Sequence, residues 1–72
     1  MEINTELTRK QFDLLAAFAE ADGPLTQREL KNRTGHALGT INRTVKELNE
    51  LGYLSNGSIS QSGISALEPY RA

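Results

Sequence analysis

Thr26-Gln27-Arg28-Glu29-Leu30-Lys31-Asn32-Arg33-Thr34-Gly35-His36-Ala37-Leu38-Gly39-Thr40-Ile41-Asn42-Arg43-Thr44-Val45-Lys46-Glu47-Leu48 spells two helices around one tight turn. Thr26 to Glu29 has the T-x-x-E form, in which the threonine hydroxyl accepts from the backbone N–H three residues on and the glutamate reaches back to the cap. A short helix over about 27–33 follows, with Leu30 as its main core residue. Thr34-Gly35-His36-Ala37 is the turn, where glycine takes a positive φ without steric cost. Beyond it, Leu38, Ile41, Val45 and Leu48 recur at helical spacing, which predicts a second helix over 38–51. Gly52 closes it.

Outward from this pair, the same cap chemistry recurs upstream. Thr8-Arg9-Lys10-Gln11 opens a helix near 9–21 whose apolar positions are Phe12, Leu15, Ala16 and Ala19, with Leu14 and Phe18 widening the stripe. Asp22-Gly23-Pro24 ends it. Leu25 is expected to be a single buried extended residue, at most part of a very short strand. Downstream, Asn56-Gly57 between Tyr53-Leu54-Ser55 and Ser58-Ile59-Ser60 is a strong signal for a two-residue hairpin. Ser60 can then cap a short last helix with Ile64 and Leu67 facing inward, and Pro69 stops it. The expected core is Phe12, Leu15, Phe18, Leu30, Ile41, Val45, Leu48, Leu54, Ile59 and Leu67. No internal repeat is visible, and no linker-like segment precedes residue 68.

Composition bounds what such a chain can be. Its 72 residues make one small domain with little room for a catalytic cleft, and 38% hydrophobic with 24% charged residues lies in the globular range. With 0 cysteines there is no disulfide scaffold and no thiolate metal site, which suits a reducing, cytoplasmic setting. No apolar run approaches a membrane span, and Met1-Glu2-Ile3-Asn4 lacks the basic and apolar regions of a secretion signal. The net charge of -1 conceals an uneven distribution. Over 23–46, Arg28, Lys31, Arg33, Arg43 and Lys46 stand against Glu29 alone, whereas both flanks are net acidic. The middle third is a basic island, consistent either with an anionic partner or with a solvated helix face.

A long helix, a short helix, a glycine-containing turn, another helix and a hairpin make up an α+β winged helix-turn-helix: a three-helix core, a two-stranded wing and a short C-terminal helix. Thr26-Gln27-Arg28-Glu29-Leu30 through Gly35, the run Leu38 to Leu48, Leu51-Gly52-Tyr53-Leu54 and Ser60-Gln61-Ser62-Gly63 closely resemble bacterial winged-helix regulators of the MarR (multiple antibiotic resistance regulator) type. The resemblance spans roughly residues 8–67 and implies transcription regulation by binding double-stranded DNA. His36 departs from it, since an aliphatic residue is usual there. Ala66-Leu67-Glu68-Pro69-Tyr70-Arg71 is similar to the junction where an N-terminal winged helix precedes a bacterial sugar-nucleotidyltransferase/choline-kinase-like enzyme. That narrower resemblance implies a segment of a longer chain, with 68–72 as a junction or tail. None of that enzyme's nucleotide loop or acidic metal pair lies in these residues.

The second helix of the pair carries the chemistry expected to meet DNA. Arg43 projects opposite its apolar stripe, with Gly39, Thr40 and Lys46 beside it, and Leu38 and Asn42 complete the candidate face. Arg43 can donate twice to guanine O6 and N7, and Asn42 can pair with adenine N6 and N7 if it turns outward. Glu47 and Glu50 lie a turn later, which leaves the N-terminal half as the part that enters the major groove. Thr26, Gln27 and Arg28 are placed to contact phosphate at the start of the preceding helix, although Thr26 also serves as a plain cap. Asn56, Gly57 and Ser58 form the wing tip, which carries no cation.

No catalytic residue, metal or cofactor is expected. His36 is the only histidine and has no partners for catalysis or metal binding, and Ser55, Ser58, Ser60, Ser62 and Ser65 have no base arranged around them. A different class of function stays open beside DNA binding: a protein-interaction or regulatory winged helix, docking on the enzyme domain of its own longer chain. The neutral wing favours that reading and Arg43 with Lys46 favours DNA. The isolated domain is expected to be monomeric, with no membrane partner.

Overall fold

A computed structural model describes residues 7–21 and 23–70. Expectations resting on residues 1–6, on Asp22 and on Arg71 lie outside them. Three helices, α1 (Arg9–Ala21), α2 (Gln27–Thr34) and α3 (Leu38–Glu50), precede a hairpin of β1 (Leu54–Ser55) and β2 (Ser58–Ile59). Then come α4 (Gln61–Leu67) and a 3-10 turn over Glu68–Tyr70. The architecture is the α+β winged helix, with boundaries within a residue or so of those read from the sequence.

Local chemistry accounts for each end. At α1, Gln11 N donates to Thr8 Oγ1 (3.1 Å) and Thr8 N to Gln11 Oε1 (3.0 Å), completing a reciprocal cap. At the end of α3, Gly52 takes φ 82°, its N–H donates to Asn49 O, and Tyr53 N donates to Leu48 O at 2.9 Å. These two bonds satisfy carbonyls that the helix itself leaves open. The hairpin pairs Leu54 with Ile59 and Ser55 with Ser58, and Asn56 and Gly57 both have positive φ (54° and 83°), the signature of a type I′ turn.

The core gathers Leu14, Leu15, Ala17 and Phe18 of α1 around Leu30, Ile41, Leu48, Leu54 and Leu67. Burying each such large side chain contributes about 1.5–3 kcal/mol. Two details differ from the sequence reading. The buried line of α3 is Ile41, Thr44 and Leu48, while Val45 is half-buried and Leu38 is 43% exposed. α3 is seated by packing against both α1 and α2, and two polar contacts mark its flanks: Gln11 on α1 donates to Glu47 on one (3.2 Å), and Gln27 on α2 donates to Asn42 on the other. The face between those flanks turns Thr44 inward, and no buried side-chain nitrogen or oxygen among the described residues lacks a partner. Phe12 and Ile59 likewise pack against the core rather than within it. Leu25 is half-buried and belongs to no strand, because the sheet among the described residues consists of β1 and β2 alone.

The C-terminal elements close back on the body. Ser60 N donates to Tyr53 O (2.9 Å), Ser60 Oγ donates to Gly52 O (2.6 Å) and accepts from Gly63 N (3.1 Å). Gly63 is buried so closely that a Cβ there would lie 2.3 Å from Tyr53 O. The Tyr70 ring packs on Phe12 with centroids 5.2 Å apart, and its hydroxyl accepts from Leu7 N at 3.0 Å. No described helix is long and apolar enough to cross a membrane.

Candidate nucleic-acid interface

The candidate face is built on α2, the turn and α3, and the turn is pinned at each step. Glu29 N donates to Thr26 Oγ1 (3.1 Å) and Thr26 N to Glu29 Oε1 (2.8 Å), so the start of α2 carries the complete box its T-x-x-E word predicts. At the other end Gly35 adopts φ 81° and donates to Lys31 O at 2.8 Å. Thr34 Oγ1 then ties the turn together, donating to Leu30 O (2.7 Å) and accepting from His36 N (3.2 Å). The His36 ring reaches α1, where its Nε2 lies 2.9 Å from Asp13 Oδ2. Asp13 also pairs with Arg9 at 3.6 Å. The angle at which α3 leaves α2 is therefore held from three directions.

On this frame Gly39, Asn42, Arg43 and Lys46 are exposed, Leu38 is exposed and Thr40 is half-buried. Arg43 and Lys46 project from α3 away from Ile41, Thr44 and Leu48, and neither is in an ion pair among the described residues. Glu47, by contrast, is engaged by Gln11 on the flank toward α1. Thr26, Gln27 and Arg28 are exposed at the start of α2. The Thr26 hydroxyl accepts within its own cap, which leaves its proton free for another acceptor.

The structure brings together two sets that sequence spacing could not join. Gln27 Nε2 donates to Asn42 Oδ1, linking the first residue of α2 to the exposed flank of α3. Gln27, Arg28, Lys31, Asn32 and Leu38 line one open cleft of about 430 Å³, so an exposed leucine stands among cations and amides. Lys31 stands out in the sequence only as one cation of the basic island and Asn32 not at all, since the cleft arises only when α2 and α3 cross. The wing stands apart from this cluster: Asn56 and Gly57 are exposed and Ser58 is half-buried, and a Cβ on Gly57 would lie 3.6 Å from Pro24 Cβ. The tip thus comes near Pro24, with room for a methyl group between them.

The start of α3 has no side-chain cap. Ala37 holds the N-cap position with φ -68° and ψ 154° and offers no oxygen to the first free N–H groups of the helix. Ala37, Leu38 and Gly39 are all exposed, and Leu38 lines the cleft. His36 and Asp13 stand in no cluster of three or more metal-ligating residues, and none occurs among the described residues.

A family model described as "MarR family" matches residues 5–58, which covers all of α1, α2 and α3 and the first part of the hairpin. No curated protein and no solved structure matches the chain.

Proposed function

The chain belongs to the MarR family of DNA-binding transcription regulators, and from that premise we propose that it binds double-stranded DNA with the N-terminal half of α3 in the major groove. The observation that carries this reading is that Arg43 and Lys46 are exposed on the side of α3 opposite its buried line and form no ion pair among the described residues. Arg43 is the base reader, since its guanidinium can donate twice to guanine O6 and N7. Gly39 lets the helix approach closely, and Thr40 and Lys46 border the contact. Thr26, Gln27 and Arg28 contact the phosphate backbone beside the start of α2, and the uncapped amides at the start of α3 face the groove. Asn56, Gly57 and Ser58 add little, because the wing carries no cation.

This module is not catalytic. Its basic island supplies the sequence-independent part of binding by displacing counterions. The absence of cysteine suits the bacterial cytoplasm, where duplex DNA is the partner.

A second reading is favoured by the neutral wing: a docking surface for an enzyme domain of the nucleotidyltransferase/choline-kinase-like type elsewhere in a longer chain, with residues 68–72 as the junction. Fluorescence anisotropy with random duplexes and with duplexes selected from a random library separates the two. On the DNA reading, Arg43→Ala costs about 1–3 kcal/mol at a selected site and relaxes base preference there, while Lys31→Ala weakens all sequences modestly. Equal losses for both variants on selected and random DNA would remove α3 from the groove.

A further inference from the structure

The Gln27–Asn42 bond changes what Asn42 can offer to a base. A lone asparagine reads adenine by accepting from N6 with Oδ1 and donating to N7 with Nδ2. Here one lone pair of Oδ1 already accepts from Gln27 Nε2, and the groups of the pair that engage no other described residue are the Asn42 Nδ2 donors and the Gln27 Oε1 acceptor. Together the two amides offer a donor and an acceptor, the pair that adenine requires, spread over two side chains. Leu38 is one turn before Asn42 on α3, which places the two on neighbouring positions of the same face. It is 43% exposed and lines the cleft with Gln27. Leu38 is the one apolar side chain among the residues that line this cleft, beside Gln27, Arg28, Lys31 and Asn32, and the apolar feature on the major-groove edge of DNA is the thymine C5-methyl group.

We propose that Gln27, Asn42 and Leu38 form one reading unit for an A·T base pair, the two amides on adenine and the leucine on the thymine methyl. The inference rests on the DNA reading above and names part of the sequence that α3 selects. It moves Gln27 from a backbone contact to a base reader and makes Asn42 dependent on it.

The test uses the 72-residue chain and the duplex it selects from a random library, with each base pair replaced in turn. Removing the amide of either residue, by Gln27→Ala or Asn42→Ala, should lower affinity roughly tenfold at the same A·T pair, and the double variant should lose no more than either single one. Replacing the thymine of that pair by uracil should cost about fourfold, the value of one buried methyl, and Leu38→Ala should abolish the difference between thymine and uracil. Additive losses at different base pairs would overturn the amide unit, and equal binding of thymine and uracil duplexes at every position would overturn the role of Leu38. Failure of the unsubstituted chain to select any duplex would instead bring down the DNA reading, and this unit with it. Circular dichroism of each variant keeps loss of fold separate from loss of contact.

Discussion

His36 in the turn between α2 and α3 and Asp13 in the second turn of α1 meet with Nε2 and Oδ2 2.9 Å apart, at side chains only 22% and 26% exposed. A carboxylate accepts and cannot donate, so the ring N–H points to Asp13 and the turn is fastened to α1 by a polar bond where an aliphatic residue would use packing. The bond spans 23 residues and fixes the elbow from which α3 projects.

Replacing either partner by alanine should therefore cost about 1 kcal/mol, and the double variant should cost clearly less than the sum of the two. Urea unfolding of the four proteins of the cycle measures the coupling. A coupling near zero would mean that the ring and the carboxylate are solvated independently.

Leu48→Ala should cost about 2–5 kcal/mol, because Leu48 is fully buried in the core. Val45→Ala should cost markedly less, since Val45 packs against that core from its rim. In a domain whose whole stability is on the order of 4–10 kcal/mol, the first approaches global unfolding and the second does not. Thermal melts of the two variants decide it, and equal shifts in midpoint would place Val45 inside.

The difference between these two residues also marks where the sequence is legible and where it is not. Caps and turns depend on residues three or four apart, so Thr8 with Gln11, Thr26 with Glu29, Gly35, Gly52 and Asn56-Gly57 can be read directly, and with them the order of elements. The rotation of α3 about its axis follows its packing against α1 and α2, elements whose flanking contacts, Gln11 with Glu47 and Gln27 with Asn42, are separated by 36 and 15 residues. Leu38 and Val45 look as apolar as Ile41 and Leu48 in the chain, and nothing local says that Thr44 goes inward instead. The candidate face follows the same division. Arg43 and Lys46 are identifiable by their spacing on one helix, whereas the cleft that adds Lys31 and Asn32 exists only after two helices cross.

Gly63 is a further position whose demand is invisible in sequence. It looks like one residue of a short, polar helix start, yet its Cα is pressed against the backbone after α3, with a would-be Cβ 2.3 Å from Tyr53 O and 2.7 Å from Ile59 Cγ1. Backbone cannot yield as a flexible side chain can, so Gly63→Ala should destabilise by about 1–3 kcal/mol or more despite alanine's better helix propensity. The neighbouring Ser62→Ala, at an exposed position, should be nearly silent. Chemical unfolding of both is the check, and a stabilised Gly63→Ala variant would show that α4 stands further from Tyr53 than described.

Ala37 connects stability and binding in opposite senses. Its extended backbone already has N-cap geometry, and a side-chain oxygen is the missing element. Ala37→Ser and Ala37→Asp should each stabilise the domain by about 1 kcal/mol, the aspartate further helped by the positive end of the helix. Only the aspartate puts a negative charge at the end of α3 that, on the DNA reading, faces the phosphates. It should therefore raise the melting midpoint and weaken duplex binding together, while the serine variant keeps its affinity within a small factor. Salt titration adds a second readout, because the aspartate penalty should shrink as ionic strength rises and the charges are screened. An aspartate variant that melts higher and binds DNA as well as the parent chain would put the start of α3 outside the groove.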